Sequence, residues 1–247
     1  MSGPSEEEEI RAPSTAPGRK LIEVLVKAPR AGLVKTRMSP PLSGQQAAEL
    51  HAHLLGDVLA ATAEFARDLG LRALVAVYPE DARPEVAVSC PPAFDVVEQR
   101  GRDLAERMAW AVNEAAASGA TRILLRGSDC PLLDGGTLAR ALEELEECDL
   151  VLCPDFEGGY DLIGLKRPAP ALFDHPMSTS SVLDDTLAAA SALGLQARLL
   201  TPHFSLDRVT DFAHLARARS REAESLCPRT LAHLDENDLW RFADWDG

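Results

Sequence analysis

Strand-like and helix-like segments alternate along this chain, and that order admits few architectures. Lys20-Leu21-Ile22-Glu23-Val24-Leu25-Val26 is rich in β-branched and apolar residues, as a central strand requires. Ser43-Gly44-Gln45-Gln46 then has the form of a capping box, in which Ser43 and Gln46 satisfy amides at a helix start. Ala47, Leu50, Leu54, Val58, Ala61 and Phe65 follow at helical spacing, and Gly70 stands where such a helix would end. Leu71 to Tyr78 repeats the strand pattern and Phe94 to Val97 gives a shorter one. Leu104, Met108, Val112 and Ala115 form a second helical stripe, closed by Gly119. The apolar run Ile123-Leu124-Leu125, a helix start at Asp134-Gly135-Gly136-Thr137, and strands over 149–154 and 159–165 continue the series. Such an order predicts an α/β fold of three layers, α/β/α, with helices on both faces of a mostly parallel mixed sheet.

A chain of 247 residues is long enough to bury one large core, so residues 20–247 read as a single domain. Residues 1–19, with Glu6-Glu7-Glu8-Glu9 and Pro13, Pro17 and Gly18, read as a solvated, disordered tail. The formal net charge of -14 argues against a partner that tracks nucleic-acid phosphates and against an anionic membrane surface. No apolar run reaches membrane-spanning length, and the N-terminus lacks the apolar core of a signal peptide. The five cysteines are odd in number and form no CxxC pair, which suits a reducing cytoplasm. Late aromatic residues such as Trp240, Phe242 and Trp245 suit a packed helix or the surface of a homodimer.

Two segments carry the chemistry. Arg126-Gly127-Ser128-Asp129-Cys130-Pro131 presents a carboxylate just beyond a strand, where open α/β sheets bind ligands; Asp129 there either holds a divalent cation or closes a turn. After the first strand, the loop from Lys27 to Arg37 holds four cationic side chains and no acidic one. In so acidic a protein this marks either a phosphate-receiving connection or a solvated face. Lys35 supplies a point charge and Arg37 a planar fork, both suited to phosphate oxygens. Asp103 and Glu106 have helix capping as their default role, and Ser178 or Thr179 that of an N-cap. Gly158-Gly159 allows close backbone approach to a ligand but equally suits a hairpin turn. His51 and His53, two apart on a helix, point to different faces and do not form a metal pair.

In order, the segments Lys-x-Pro-x-x-Gly-x-Val-Lys-Thr-Arg from Lys27, Gly-x-Asp-Leu-x-x-Arg-Met from Gly101, Gly-Ser-Asp-x-Pro-x-Leu from Gly127 and Gly-Gly-Tyr-x-Leu-Ile-Gly-Leu from Gly158 resemble a bacterial glycosyltransferase family. That family belongs to the nucleotide-diphospho-sugar transferase superfamily and has the GT-A fold; some members are associated with arsenosugar biosynthesis. The resemblance spans roughly residues 21–215, and the first loop is also similar to that of phospholactate guanylyltransferases. It implies that Asp129 and Asp207 hold Mg2+ or Mn2+, and that Lys27, Lys35 and Arg37 meet phosphates. It places Gln99, Gly101, Asp103 and Ser128 beside the nucleotide, and Gly158, Gly159, Tyr160, Ser178 and Thr179 near the acceptor or donor sugar. Three positions depart from the family: Ser205 stands where it has an earlier Asp, Glu157 where it has Asp, and Met177 where it has Trp.

The expected partners are a nucleotide sugar or nucleoside triphosphate and a small acceptor. Three activities follow as expectations: glycosyl transfer first, nucleotidyl transfer releasing pyrophosphate second, and nucleotide binding without turnover third. In the first two, Lys35 and Arg37 neutralise the leaving phosphates. Glu157 and Asp161 discriminate between them, because a base serves a hydroxyl acceptor but not an ionised phosphate.

Overall fold

The computed structural model describes residues 19–219 and 221–245. The first strand, β1 (Arg19–Lys27), begins one residue earlier than the boundary expected for the tail, and residues 1–18 lie outside the described residues. The chain continues through α1 (Gly44–Leu69), β2 (Arg72–Tyr78), α2 (Arg83–Ser89), β3 (Phe94–Glu98), α3 (Leu104–Ala117), β4 (Ala120–Gly127) and α4 (Gly135–Glu147). There follow β5 (Leu150–Pro154), β6 (Tyr160–Leu165), α5 (Val182–Ala192), β7 (Ala197–Leu199), α6 (Phe212–Arg217), α7 (Arg221–Leu226) and α8 (Pro228–Glu236). The seven strands form one sheet in the order β3-β2-β1-β4-β6-β5-β7. β6 runs antiparallel to β4 and β5, and the other pairs are parallel.

Side chains alternate between the two faces of a strand, and β1 feeds two cores accordingly. Ile22, Val24 and Val26 pack with residues of α1, α4 and α8 on one side; Leu21 and Leu25 pack with α3 and α5 on the other. Burying each such Leu, Ile or Val contributes roughly 1.5–3 kcal/mol. The helix ends are made locally. Ser43 and Gln46 close a capping box at α1, and Gly70 ends the helix at φ 66°. Asp103 and Asp134 each accept a backbone N–H at the starts of α3 and α4.

At α5 the expectation fails: the helix starts at Val182, so Ser181 holds the N-cap position, without a side-chain cap bond. Ser178, at φ 69°, instead turns the backbone three residues ahead of that position. All five cysteines are free thiols, and no helix among the described residues is long and apolar enough to cross a membrane.

Candidate active site

Because β1 and β4 pair in parallel, with Leu25 opposite Gly127, the loops that leave their carboxyl ends meet. β1 delivers Lys27 to that edge. Beyond it Lys35 adopts a left-handed conformation at φ 49°, and Arg37 sits in the 3-10 turn Thr36–Met38. Lys35 Nζ donates to Asp129 Oδ1 and, at 3.1 Å, to Asp207 Oδ1. The lysine side chain is 2% exposed, whereas the two carboxylates are 39% and 35% exposed. Desolvation opposes charge on Lys35, but attraction to Asp129 and Asp207 outweighs it and holds the ammonium above its usual pKa. Desolvation likewise opposes charge on Asp129, and the Lys35 ammonium overcomes it, so its pKa lies below the usual carboxylate value.

One cation against two carboxylates leaves this cluster net negative. The two carboxylates offer the cleft hard oxygens, the donor type that Mg2+ or Mn2+ takes, while their Oδ1 atoms converge on the Lys35 ammonium. Among the described residues no group of three His, Cys, Asp or Glu side chains could hold a metal, so a cation here would need phosphate oxygens and water to complete its shell.

The supports of this cluster lie beneath it. Leu206 N donates to Asp129 O at 2.9 Å, joining the two acidic segments through the backbone. Asp211 Oδ2 accepts from Asp207 N at 2.8 Å and Arg208 N at 2.7 Å, which fixes the second segment. Arg126, fully buried, donates to Thr62 Oγ1 at 2.8 Å and Cys130 O at 3.0 Å, bracing the turn that carries Asp129. His51 Nε2 lies 3.1 Å from Lys27 O; a carbonyl only accepts, so Nε2 carries the proton and Nδ1 faces Asp129 at 3.7 Å. Burial lowers the His51 pKa and keeps the ring neutral. Sequence reasoning missed His51, Arg126 and Asp211 as supports. The signal available for His51 was a polar residue within the buried stripe of α1, between Leu50 and Leu54. His53 stacks on His233 at 4.5 Å and has no part in the site.

A cleft of about 860 Å³ opens over these groups. On one wall Gln99 Nε2 donates to Val26 O at 3.0 Å and Ala76 O at 2.8 Å, which commits both its N–H groups to the sheet. Arg107, in the same wall, lies 4.2 Å over the Tyr78 ring. Ser128 is buried and lines the floor. Gly101 and Asp103 shape the start of α3 and do not line the cleft. A Cβ on Gly101, at φ 139°, would come within 2.7 Å of Arg107 N. Arg30, the remaining cation of the first loop, points away to Asp81 at 2.7 Å and Glu85 at 3.0 Å.

The opposite wall comes from the β5–β6 turn. Asp155 Oδ1 accepts from Glu157 N at 2.7 Å and Gly159 N at 2.8 Å, closing the turn. Gly158, at φ 91°, is required because a Cβ would meet Ser180 O at 2.0 Å; it does not line the cleft, whereas Gly159 and Tyr160 do. Glu157 bonds Arg37 Nη1 at 3.1 Å and Arg208 Nε at 3.4 Å. Asp161 is 5% exposed and accepts from Ser205 Oγ at 2.5 Å, while its Oδ2 has no partner. Burial pushes its pKa up to about 7 against the opposing bond from Ser205. Ser178 and Thr179 are exposed along the rim.

Residues 61–180 match the family described as "Uncharacterized protein conserved in bacteria (DUF2064)". A crystal structure of a putative nucleotide-diphospho-sugar transferase from Desulfovibrio desulfuricans G20 superposes with a TM-score of 0.81. It is 32% identical in sequence, over 92% of this chain and 99% of that one. A phosphoenolpyruvate guanylyltransferase from Chloroflexus aggregans is 32% identical over 124 residues, 46% of this chain; the chain spans 60% of that relative's length. A cytidylyltransferase from Leptospira borgpetersenii, 11% identical with a TM-score of 0.55, shares the fold over 90% of this chain and 95% of its own.

Proposed function

The chain belongs to the nucleotide-diphospho-sugar transferase family of its Desulfovibrio relative, and from that membership we propose divalent-cation-dependent transfer of a glycosyl group from a nucleotide sugar to a small acceptor. The observation that carries this reading is the convergence of Asp129 and Asp207 on Lys35 at the head of the cleft. A bound Mg2+ or Mn2+ would neutralise charge on the donor diphosphate there. Asp129 and Asp207 would hold it, and Lys35 and Lys27 would meet the phosphate oxygens. Gln99, Ser128 and Arg107 line the wall where the nucleoside would lie.

On the acceptor side Asp161 is the proton acceptor of this scheme. A carboxyl with a pKa of about 7 is matched to taking a proton from a hydroxyl near neutral pH, and Ser205 orients it. Gly159, Tyr160, Ser178 and Thr179 would shape the space around the acceptor and the transferred sugar.

Similarity to the guanylyltransferase favours a second reading. In nucleotidyl transfer an acceptor phosphate attacks the α-phosphorus of a nucleoside triphosphate and pyrophosphate leaves; the same cation and lysine serve, and Asp161 has no proton to take. Incubation with Mg2+ or Mn2+, a panel of nucleotide sugars and nucleoside triphosphates, and candidate acceptors separates the two. Released nucleoside diphosphate supports glycosyl transfer and pyrophosphate supports nucleotidyl transfer. Binding without either product would leave a nucleotide-binding protein and overturn both.

A further inference from the structure

Two guanidinium groups from different loops grip one carboxylate across the mouth of the cleft. Arg37 Nη1 reaches Glu157 Oε2 at 3.1 Å, and Arg208 Nε reaches Glu157 Oε1 at 3.4 Å. We propose that Arg37 and Arg208 are the seat for an oxyanion of the acceptor, a carboxylate or a phosphate, and that Glu157 occupies this seat in the free protein. The inference rests on the cleft being the site of transfer, and it holds for either electrophile.

Placement is the first argument. Arg37 follows Lys35 by two residues and Arg208 directly follows Asp207, so both arms of the fork extend from the segments that build the ion cluster. An anion seated between them lies beside the reacting groups. Arg30 makes a similar pair of contacts with Asp81 and Glu85, but outside the cleft, where they bear on no ligand.

Electrostatics is the second. The cluster of Lys35, Asp129 and Asp207 is net negative and the whole chain carries -14, so an anionic acceptor would be repelled without compensating cations. With Glu157 in place the fork is one negative charge against two positive; with Glu157 displaced its full double charge faces the ligand. Guanidinium groups are suited to planar carboxylates and to phosphates.

Exchange is the third. The side chains of Arg37, Arg208 and Glu157 are 48%, 52% and 46% exposed, so these are solvated contacts, each weak enough for a ligand to replace. The backbone beneath Glu157 is held independently. Asp155 closes the turn, and Gly158 O accepts from Leu183 N at 2.9 Å. Displacement therefore needs rotation of the Glu157 side chain and no refolding of the loop.

The test titrates phosphoenolpyruvate, pyruvate and inorganic phosphate into the nucleotide-free full chain by calorimetry at constant ionic strength. Parent, Glu157→Gln, Arg37→Gln, Arg208→Gln and Arg208→Lys proteins are compared after a check of thermal unfolding. Removing the internal competitor should tighten binding of at least one probe about threefold to tenfold. Either Arg→Gln change should weaken it several-fold, and Arg208→Lys, which keeps the charge but loses the fork, should fall between. Tightening for pyruvate identifies a carboxylate seat and tightening for inorganic phosphate a phosphate seat; either supports the proposal. Unchanged or weaker binding by Glu157→Gln, unchanged binding by Arg208→Gln, or no binding of any probe to parent and Glu157→Gln alike would overturn it. Nucleotide affinity is measured in separate titrations, so absence of nucleotide binding counts against the transferase reading while the anion result stands by itself.

Discussion

Lys35 combines a left-handed backbone, φ 49°, with a side chain almost wholly buried between two carboxylates. Few residues other than glycine adopt that backbone region, and when one does the surroundings must over-determine it. Here the two ionic contacts do so. Lys35→Met removes the ammonium and leaves Asp129 and Asp207 facing each other, each about one-third exposed to the cleft. Mg2+ should then raise the Tm of the variant more than that of the parent, by several degrees where 1 kcal/mol corresponds to about 2–4 °C in a chain of this size. Nucleotide affinity should fall at least tenfold, because Lys27 alone is left to meet the phosphates. An equal Mg2+ response in the two proteins, read by thermal melting with no substrate present, would remove this carboxylate pair as a cation site.

Between elements, one contact ties the C-terminal segment to the core. Asp57 on α1, 2% exposed, accepts from Arg229 N at 3.2 Å, Thr230 N at 2.7 Å and Thr230 Oγ1 at 2.8 Å, so one helix supplies the cap for the start of α8. Asp57→Ala leaves those buried donors unpaired and should cost about 2–3 kcal/mol in urea unfolding, with early loss of hydrogen-exchange protection in α8. Leu231 and Leu234 are buried against this junction, which makes α8 part of the core, while Trp245 stays 40% exposed. The β5–β6 turn is the second sensitive connection. Gly158→Ala drives a methyl group toward Ser180 O and strains a positive φ. It should lower stability by about 1–3 kcal/mol and weaken acceptor binding while nucleotide affinity is kept. Equal losses in both affinities would place the damage beyond this turn.

Across the whole molecule, two buried carboxyl groups, Glu23 and Asp161, make stability depend on pH near neutrality. Glu23 is 3% exposed on the β1 face that carries Leu21 and Leu25, in register with Leu74 and Leu125, and its Oε1 has no partner. Burial pushes its pKa up to about 7, as it does that of Asp161. Both groups therefore stay protonated in the folded chain at a pH where the unfolded chain has ionised them. Through these two groups the folded state binds extra protons from about pH 4 to about pH 7, so their contribution to stability declines through that window and levels above it. Glu23→Gln abolishes one of the two contributions. The variant should exceed the parent by on the order of 3 kcal/mol at pH 8, and the two should converge near pH 4. Urea unfolding at several pH values checks this, and a gap that did not change with pH would show that Glu23 does not titrate in this way.

Local chemistry and periodicity were sufficient for β1 to β6 and for α1, α3 and α4, but not for α2 or for the start of α5. The capping box at Ser43, the caps at Asp103 and Asp134 and the alternating apolar runs act over three or four residues, and the sheet and its flanking helices follow from them. The motif order also marked Asp129, Asp207, Lys35, Arg37 and Glu157, residues that the fold brings to one cleft. Their partnerships were not legible. Lys35 is 94 residues from Asp129 and 172 from Asp207, and Arg37 is 120 from Glu157, so no local pattern encodes which charge meets which. Parallel pairing of β1 with β4 and the return of the 205–208 segment to Asp129 decide those contacts. Burial, which moves Glu23 and Asp161 to about 7 and neutralises His51, likewise exists only once the layers have closed, because desolvation depends on what surrounds a group and not on its neighbours in the chain.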